Sequence, residues 1–165
     1  MFMLQPYQLI GTTVSTKLYI QLYQRLDTVV AQHEKMKIEA HIAAVRESLD
    51  ELKDCIAKGI ESRQRTIGFH CSAAAVDLLE IFLHQQNFIE PSAHIKHNWF
   101  SSTITEAKRL PEFPKKIEFL EILNKIEKNR NLLCYGKPQP AKTAEEAILL
   151  FNKLKAELEK LGVVV

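Results

Sequence analysis

The chain reads as all-α: a single antiparallel up-and-down bundle of five to six helices with short connections. Three observations predict this. Apolar residues return at three-to-four spacing along almost the whole length, which is the helical period. Five Gly and six Pro in 165 residues are too few for the turns of an all-β fold. Helix terminators punctuate the period further along: Gly59, Pro91, and the pair Pro111 and Pro114. A chain of this length forms one domain, residues 1–165, with a real core. Its 46% hydrophobic and 25% charged residues suit an ordinary globular fold.

In order, Leu18, Leu22, Leu26, Val29 and Val30 predict a helix from about Thr16 to Met36. Ile38, Ile42, Val45, Leu49, Leu52 and Ile56 predict a second, stopped by Gly59, a good helix C-terminal residue. The stretch from about Arg63 to Phe88 is the most apolar. Its small residues, Cys71 to Ala75, let neighbouring helices approach closely, which marks it as the central helix. After Pro91 and Ser92, HIKHNWFSSTITEAKRL predicts a shorter helix with a loop-like start, anchored in the core by Trp99 and Phe100. Beyond Pro111 and Pro114 a helix runs from Ile117 to Cys134. Thr143 and Glu146 have capping-box spacing for the last helix, whose stripe is Ala147, Ile148, Phe151, Leu154, Leu158 and Leu161. Only the terminal valines have strand character.

Composition also bounds function. Cys55, Cys71 and Cys134 are odd in number and form no CxxC, which points to a reducing compartment rather than a disulfide framework or structural zinc. The N-terminus lacks a signal peptide's basic flank and apolar run, and no stretch approaches 18 uninterrupted apolar residues. No membrane and a cytoplasmic location are therefore expected. There is no phosphate-cradling glycine loop, no GxSxG and no dinucleotide fingerprint, and no cofactor is expected. Net charge is +2, but Lys108 to Lys142 holds nine Lys/Arg against four Glu. That basic third suits a phosphate-bearing partner, or lysines that keep an exposed helix soluble.

Arg130 stands out because it falls amid the apolar face made by Phe119, Ile122, Leu123, Ile126, Leu133 and Cys134. A guanidinium keeps its charge and is rarely buried without partners, so it is paired inside the fold, lies at a subunit interface, or lines a cleft. It belongs to Asn129–Pro138, NRNLLCYGKP, at a helix exit. Arg130 suits bidentate phosphate binding, Asn131 both donates and accepts, and Tyr135 donates a proton or stacks on a base. In an ideal helix Tyr135 points about 140° from Arg130, so meeting it requires the helix to unwind near Cys134. The plainer alternative is an ion pair with Arg130 and helix capping by its neighbours.

On the central helix Arg63, His70, Ala73, Asp77, Glu80 and His84 share one stripe. It is a solvated edge, or Asp77 or Glu80 is the carboxylate that orients Arg130, with His70 or His84 supplying acid–base capacity. His94 and His97, three apart, have the spacing for two metal ligands on one face, but no third ligand accompanies them. The expected set of metal ligands is therefore none. Lys96 and His97 are placed to reach a phosphate, or lie on the surface.

The helix KIEFLEILNKIEKNRNLLCYGKP followed by TAEEAILLFNKLKAELEKLG resembles the HEPN superfamily of small all-α domains, and GFHCSAAAVDLLEIFLHQQNFI resembles their buried alanine-rich helix. The resemblance covers roughly the C-terminal two-thirds. It implies a homodimer that sets two motifs across a shared cleft, and in many members a metal-independent ribonuclease, several of them toxins beside a nucleotidyltransferase-type antitoxin. Others of the superfamily bind nucleotides, RNA or proteins without catalysis. In the motif, Arg steadies phosphate and a His four to six residues on assists attack by the ribose 2′-hydroxyl. Arg130 and Asn131 match its opening. Cys134, Tyr135 and Gly136 stand where the His belongs. The resemblance then leaves three outcomes: Tyr135 substitutes, His70 or His97 serves from elsewhere, or the site is degenerate. A phenol, with pKa near 10, is a poor base at neutral pH. The expectation is thus an RNA- or nucleotide-binding homodimer with Arg130, Asn131 and Tyr135 at the site, supported by Asp77, Glu80, His70 and His97. The competing class is a non-catalytic interaction module with Arg130 in a structural pair.

Overall fold

A computed structural model describes residues 16–90, 92–101 and 109–165. Among the described residues there are four α-helices and no strand: α1 (Thr16–Lys58), α2 (Gln64–Gln85), α3 (Lys116–Tyr135) and α4 (Ala141–Lys160). Short 3-10 turns occupy Ile60–Arg63 and His97–Ser101. The all-helical reading holds, and the described residues form four helices where five to six were expected over the whole chain. The reason lies in α1, where two expected helices are one of 43 residues. No Gly or Pro interrupts it, and a change of apolar face does not break the backbone hydrogen-bond ladder. Gly59, with φ of 103°, ends it in a conformation that disfavours side chains. The helix expected over 94–110 opens as a 3-10 turn, and residues 102–108 lie outside the described residues.

The pairings between helices fix an up-and-down order. His41 meets Asp77 and Ser48 meets His70, so α1 and α2 are antiparallel. Ser72 meets Glu127, and Gly68 lies against Leu133, which sets α3 antiparallel to α2. Lys115 and Lys153 reach Glu157 and Glu118, reversing direction again for α4. α2 is the hub: α1, α3 and α4 all pack on it, whereas α1 touches neither α3 nor α4 among the described residues. Ile60–Gln85 is apolar and long enough to cross a membrane, but 72% of its most apolar window is buried inside the bundle.

The small residues of α2 explain that central position. Ala74 and Ala75 are fully buried. A Cβ on Gly68 would sit 2.9 Å from Leu133 Cβ and 3.3 Å from Cys134 Sγ, so the last turns of α3 come this close only against glycine. Phe82, Phe113 and Phe119 close the other end of the core, with ring centroids 5.8 to 6.5 Å apart. Each such pair adds about 0.5–1.5 kcal/mol beyond its burial. At α4 the expected cap is corrected. The helix begins at Ala141 behind Pro140, and Thr143 lies within the first turn with no side-chain cap.

The first third of α1 extends past its neighbours. Leu18, Tyr19, Leu22, Tyr23, Leu26, Val29 and Val30 are each about half exposed. Their helical spacing was legible in the sequence; the absence of any described residue covering them was not.

Candidate functional site

α3 buries Phe119, Ile122, Leu123, Ile126 and Leu133 against the hub, and the same face carries Arg130 inward to 9% exposure. Its carboxylate partner is Glu127, one turn earlier and itself 4% exposed. Arg130 Nη1 donates to Glu127 Oε1 at 3.2 Å and to Asn131 Oδ1 at 3.3 Å. Nη2 donates to the Tyr135 hydroxyl at 3.1 Å, and the guanidinium carbon stands 5.4 Å from the Tyr135 ring centroid. Tyr135 thus meets Arg130 although it is the last residue of α3 and 72% exposed. The two long side chains span the angle that their Cα positions leave. Asn131 sits at the same rim.

Glu127 has two further partners. Its Oε2 accepts from Ser72 Oγ of α2 at 3.0 Å. Its Oε1 lies 3.3 Å from His97 Nδ1, delivered by the 3-10 turn His97–Ser101. The ring is half-exposed, and with Nδ1 turned to the carboxylate its second nitrogen, Nε2, is left for another partner. An imidazole and a guanidinium thus meet on one buried carboxylate, and a phenol caps the guanidinium.

Asp77 and Glu80 do not orient Arg130, which corrects that expectation. Both bind His41 of α1, an unpredicted residue: Nδ1 to Asp77 Oδ1 at 2.7 Å and Nε2 to Glu80 Oε2 at 2.8 Å. Glu80 lies eight residues beyond Ser72, about 12 Å further along α2, and so is out of register with Arg130. His70 is also elsewhere, 3.2 Å from Ser48 Oγ on α1. Of the supporting set only His97 joins the Arg130 group.

The His41 group forms a second buried ionic cluster. Donation to the Asp77 and Glu80 carboxylates raises the pKa of the His41 imidazole to about 9, against the opposing pull of burial. Burial pushes the Glu80 carboxyl up, but His41 and the Ile95 N–H outweigh it and hold the group below its ordinary range. Glu80 Oε1 accepts from Ile95 N–H, and His94 Nδ1 stands 3.9 Å from the same oxygen. The His84 ring stacks 6.4 Å from that of His41.

Two signals were available for what sequence reading missed. Glu127 is three residues before Arg130, adjacent on the helix surface. His41 interrupts the Ile38–Ile42 stripe much as Arg130 interrupts its own.

Beside the α3 exit a cleft of about 500 Å³ opens, lined by Arg63, Arg65, Thr66, Leu133, Gly136 and Pro138 among others. Arg130 is not among its lining residues, although Leu133 and Gly136 of the same helix end are. The three cysteines are free thiols. Burial raises the Cys71 thiol to about 12, which makes it inert.

Compared with models of known protein families, with curated proteins and with solved structures, the chain matches none.

Proposed function

We propose that this chain is a HEPN-like homodimer that binds RNA at the exit of α3 and cleaves it as a toxin-type endoribonuclease without a metal in the reaction. The observation that carries the reading is that Arg130 and His97 both meet Glu127 while the Tyr135 hydroxyl closes on the Arg130 guanidinium. His97 supplies, from another element, the imidazole that the motif lacks after Arg130. Its Nε2 accepts the ribose 2′-hydroxyl proton as O2′ bonds to phosphorus. The bond from phosphorus to O5′ breaks, and the Tyr135 hydroxyl gives the leaving oxygen its proton; exchange with water resets both groups. Arg130 has five N–H donors, more than Glu127, Asn131 and Tyr135 take up, and faces the charge that develops on phosphate. Arg63 and Arg65 in the adjoining cleft supply positive charge for a flanking phosphate.

Pairing of two chains is supported by the exposed stripe of α1. Tyr19, Leu22, Leu26 and Val29 follow heptad spacing, and a second copy offers the same stripe under two-fold symmetry.

One set of samples tests the reading: wild type, Arg130→Ala and His97→Ala, assayed for RNA binding and cleavage, folding and mass in solution. The expected wild type is a dimer that cleaves RNA. His97→Ala, at a half-exposed ring, keeps its fold and loses about 10²–10⁴-fold in rate, the range of general acid–base catalysis. Arg130→Ala loses binding as well. The second reading, an interaction module with Arg130 as a structural ion pair, is favoured by the burial of that pair. It prevails if wild type neither binds nor cleaves RNA and Arg130→Ala unfolds.

A further inference from the structure

The geometry points to a divalent-cation site of the zinc class formed by His41, Glu80 and His94, with Asp77 as the carboxylate that orients His41. One atom from each of the three ligands lies within 4.8 Å of the other two. They come from three separate elements: α1, α2 and the loop after α2. Two imidazoles and a carboxylate, with one position left for water, form a familiar zinc donor set.

Three features make this more than a chance cluster. First, His41 Nδ1 is 2.7 Å from Asp77 Oδ1. Donation of Nδ1–H to a carboxylate is how metal-bound histidines are fixed in tautomer and orientation. That bond turns Nε2 toward Glu80 Oε2, 2.8 Å away, and the proton that bridges the two atoms in the metal-free protein stands where a cation would take its place. Second, the loop bearing His94 is pinned on both sides of it. Ala93 O accepts from Lys37 Nζ of α1, and Ile95 N–H donates to Glu80 Oε1. Third, the required movement is small. Zinc–ligand bonds near 2.0–2.1 Å put tetrahedral ligand atoms about 3.3 Å apart. His41 and Glu80 must separate by about half an ångström to reach that spacing, and His94, a 68% exposed side chain, rotates in. The spacing of His94 and His97 suited two ligands on one face without a third; the structure separates them, giving His97 to Glu127 and His94 to Glu80.

The test is titration of chelator-treated protein with Zn²⁺, and with Co²⁺ as a spectroscopic probe, followed by calorimetry, visible absorption and thermal unfolding. One ion per chain is expected, with the visible bands of tetrahedral cobalt and a higher unfolding temperature on zinc addition. His94→Ala, at an exposed ring, is expected to stay folded and lose affinity at least tenfold, and Asp77→Asn about 10–100-fold. Absence of stoichiometric uptake by the wild type overturns the assignment. So does unchanged affinity in His94→Ala. The readouts do not involve RNA, so the site stands or falls apart from the nuclease reading.

Discussion

Glu80 and Glu127 invite comparison: each is a carboxylate buried to below 5% exposure, and the connection between α2 and α3 brings a histidine to each. They differ in the cation that neutralises them. Glu127 has a guanidinium three residues away on its own helix, a charge that persists at any pH the fold survives. Glu80 has an imidazole from another helix, whose charge is a proton that can leave or be exchanged. The lesson is one of division of labour. The first cluster is a fixed electrostatic element able to face an anion; the second is a tunable joint between α1, α2 and a loop.

The comparison is tested hardest by removing the fixed partner. Glu127→Ala leaves Arg130, with a side chain only 10% exposed, without a carboxylate. Breaking a buried pair from one side costs about 3–5 kcal/mol, and Ser72 and His97 lose their acceptor as well. A urea-denaturation midpoint should fall accordingly. A loss below about 1 kcal/mol, the value of a solvated pair, would show that the guanidinium escapes to water, and the contrast between the clusters would dissolve.

A smaller effect comes from pH in metal-free protein. His41 is raised from 6.5 to about 9, so its contribution to stability is complete below pH 6.5 and is lost as pH climbs through about 9. The groups facing it are Asp77, Glu80, the His84 ring and, through Glu80, His94. Glu80 is lowered, so its share is present above its ordinary range and lost on acidification. Unfolding midpoints should therefore decline on the alkaline side, by about 2 kcal/mol if the hydrogen bonds to charge are of ordinary strength. His41→Gln should remove that slope. A wild-type profile as flat as the variant's would mean that the two clusters do not differ in the way described.

How much of this was legible in the sequence follows from what periodicity encodes. A stripe such as Ala147, Phe151, Leu154 and Leu158 states which face is buried, and all four are buried. The small residues around Ala74 marked α2 as the hub, and the misplaced charge of Arg130 marked a polar group inside the fold. A stripe does not state what covers it. The register of one helix against another decides whether Asp77, Glu80 or Glu127 meets Arg130, and register is set by contacts such as Gly68 on Leu133 that no single helix contains. The partners of His41 were unreadable for the same reason, since they are 36 and 39 residues away in sequence. The continuity of α1 was readable in principle, because it has no Gly or Pro from 16 to 58.

The gentlest perturbation separates stability from chemistry within the Arg130 cluster. Tyr135→Phe deletes one hydroxyl that accepts from Nη2 at 3.1 Å, on a residue 72% exposed. Water replaces that hydroxyl at the rim, and the ring that lies 5.4 Å from the guanidinium stays. Surface changes of this kind shift stability by less than about 0.5 kcal/mol, so the unfolding midpoint should scarcely move, in contrast to Glu127→Ala. RNA cleavage, for which we propose that the same hydroxyl protonates the leaving oxygen, should slow by about 10²-fold or more. Equal cleavage by the two proteins would make Tyr135 a lid over an ion pair, and the fixed cluster would then owe its form to folding alone.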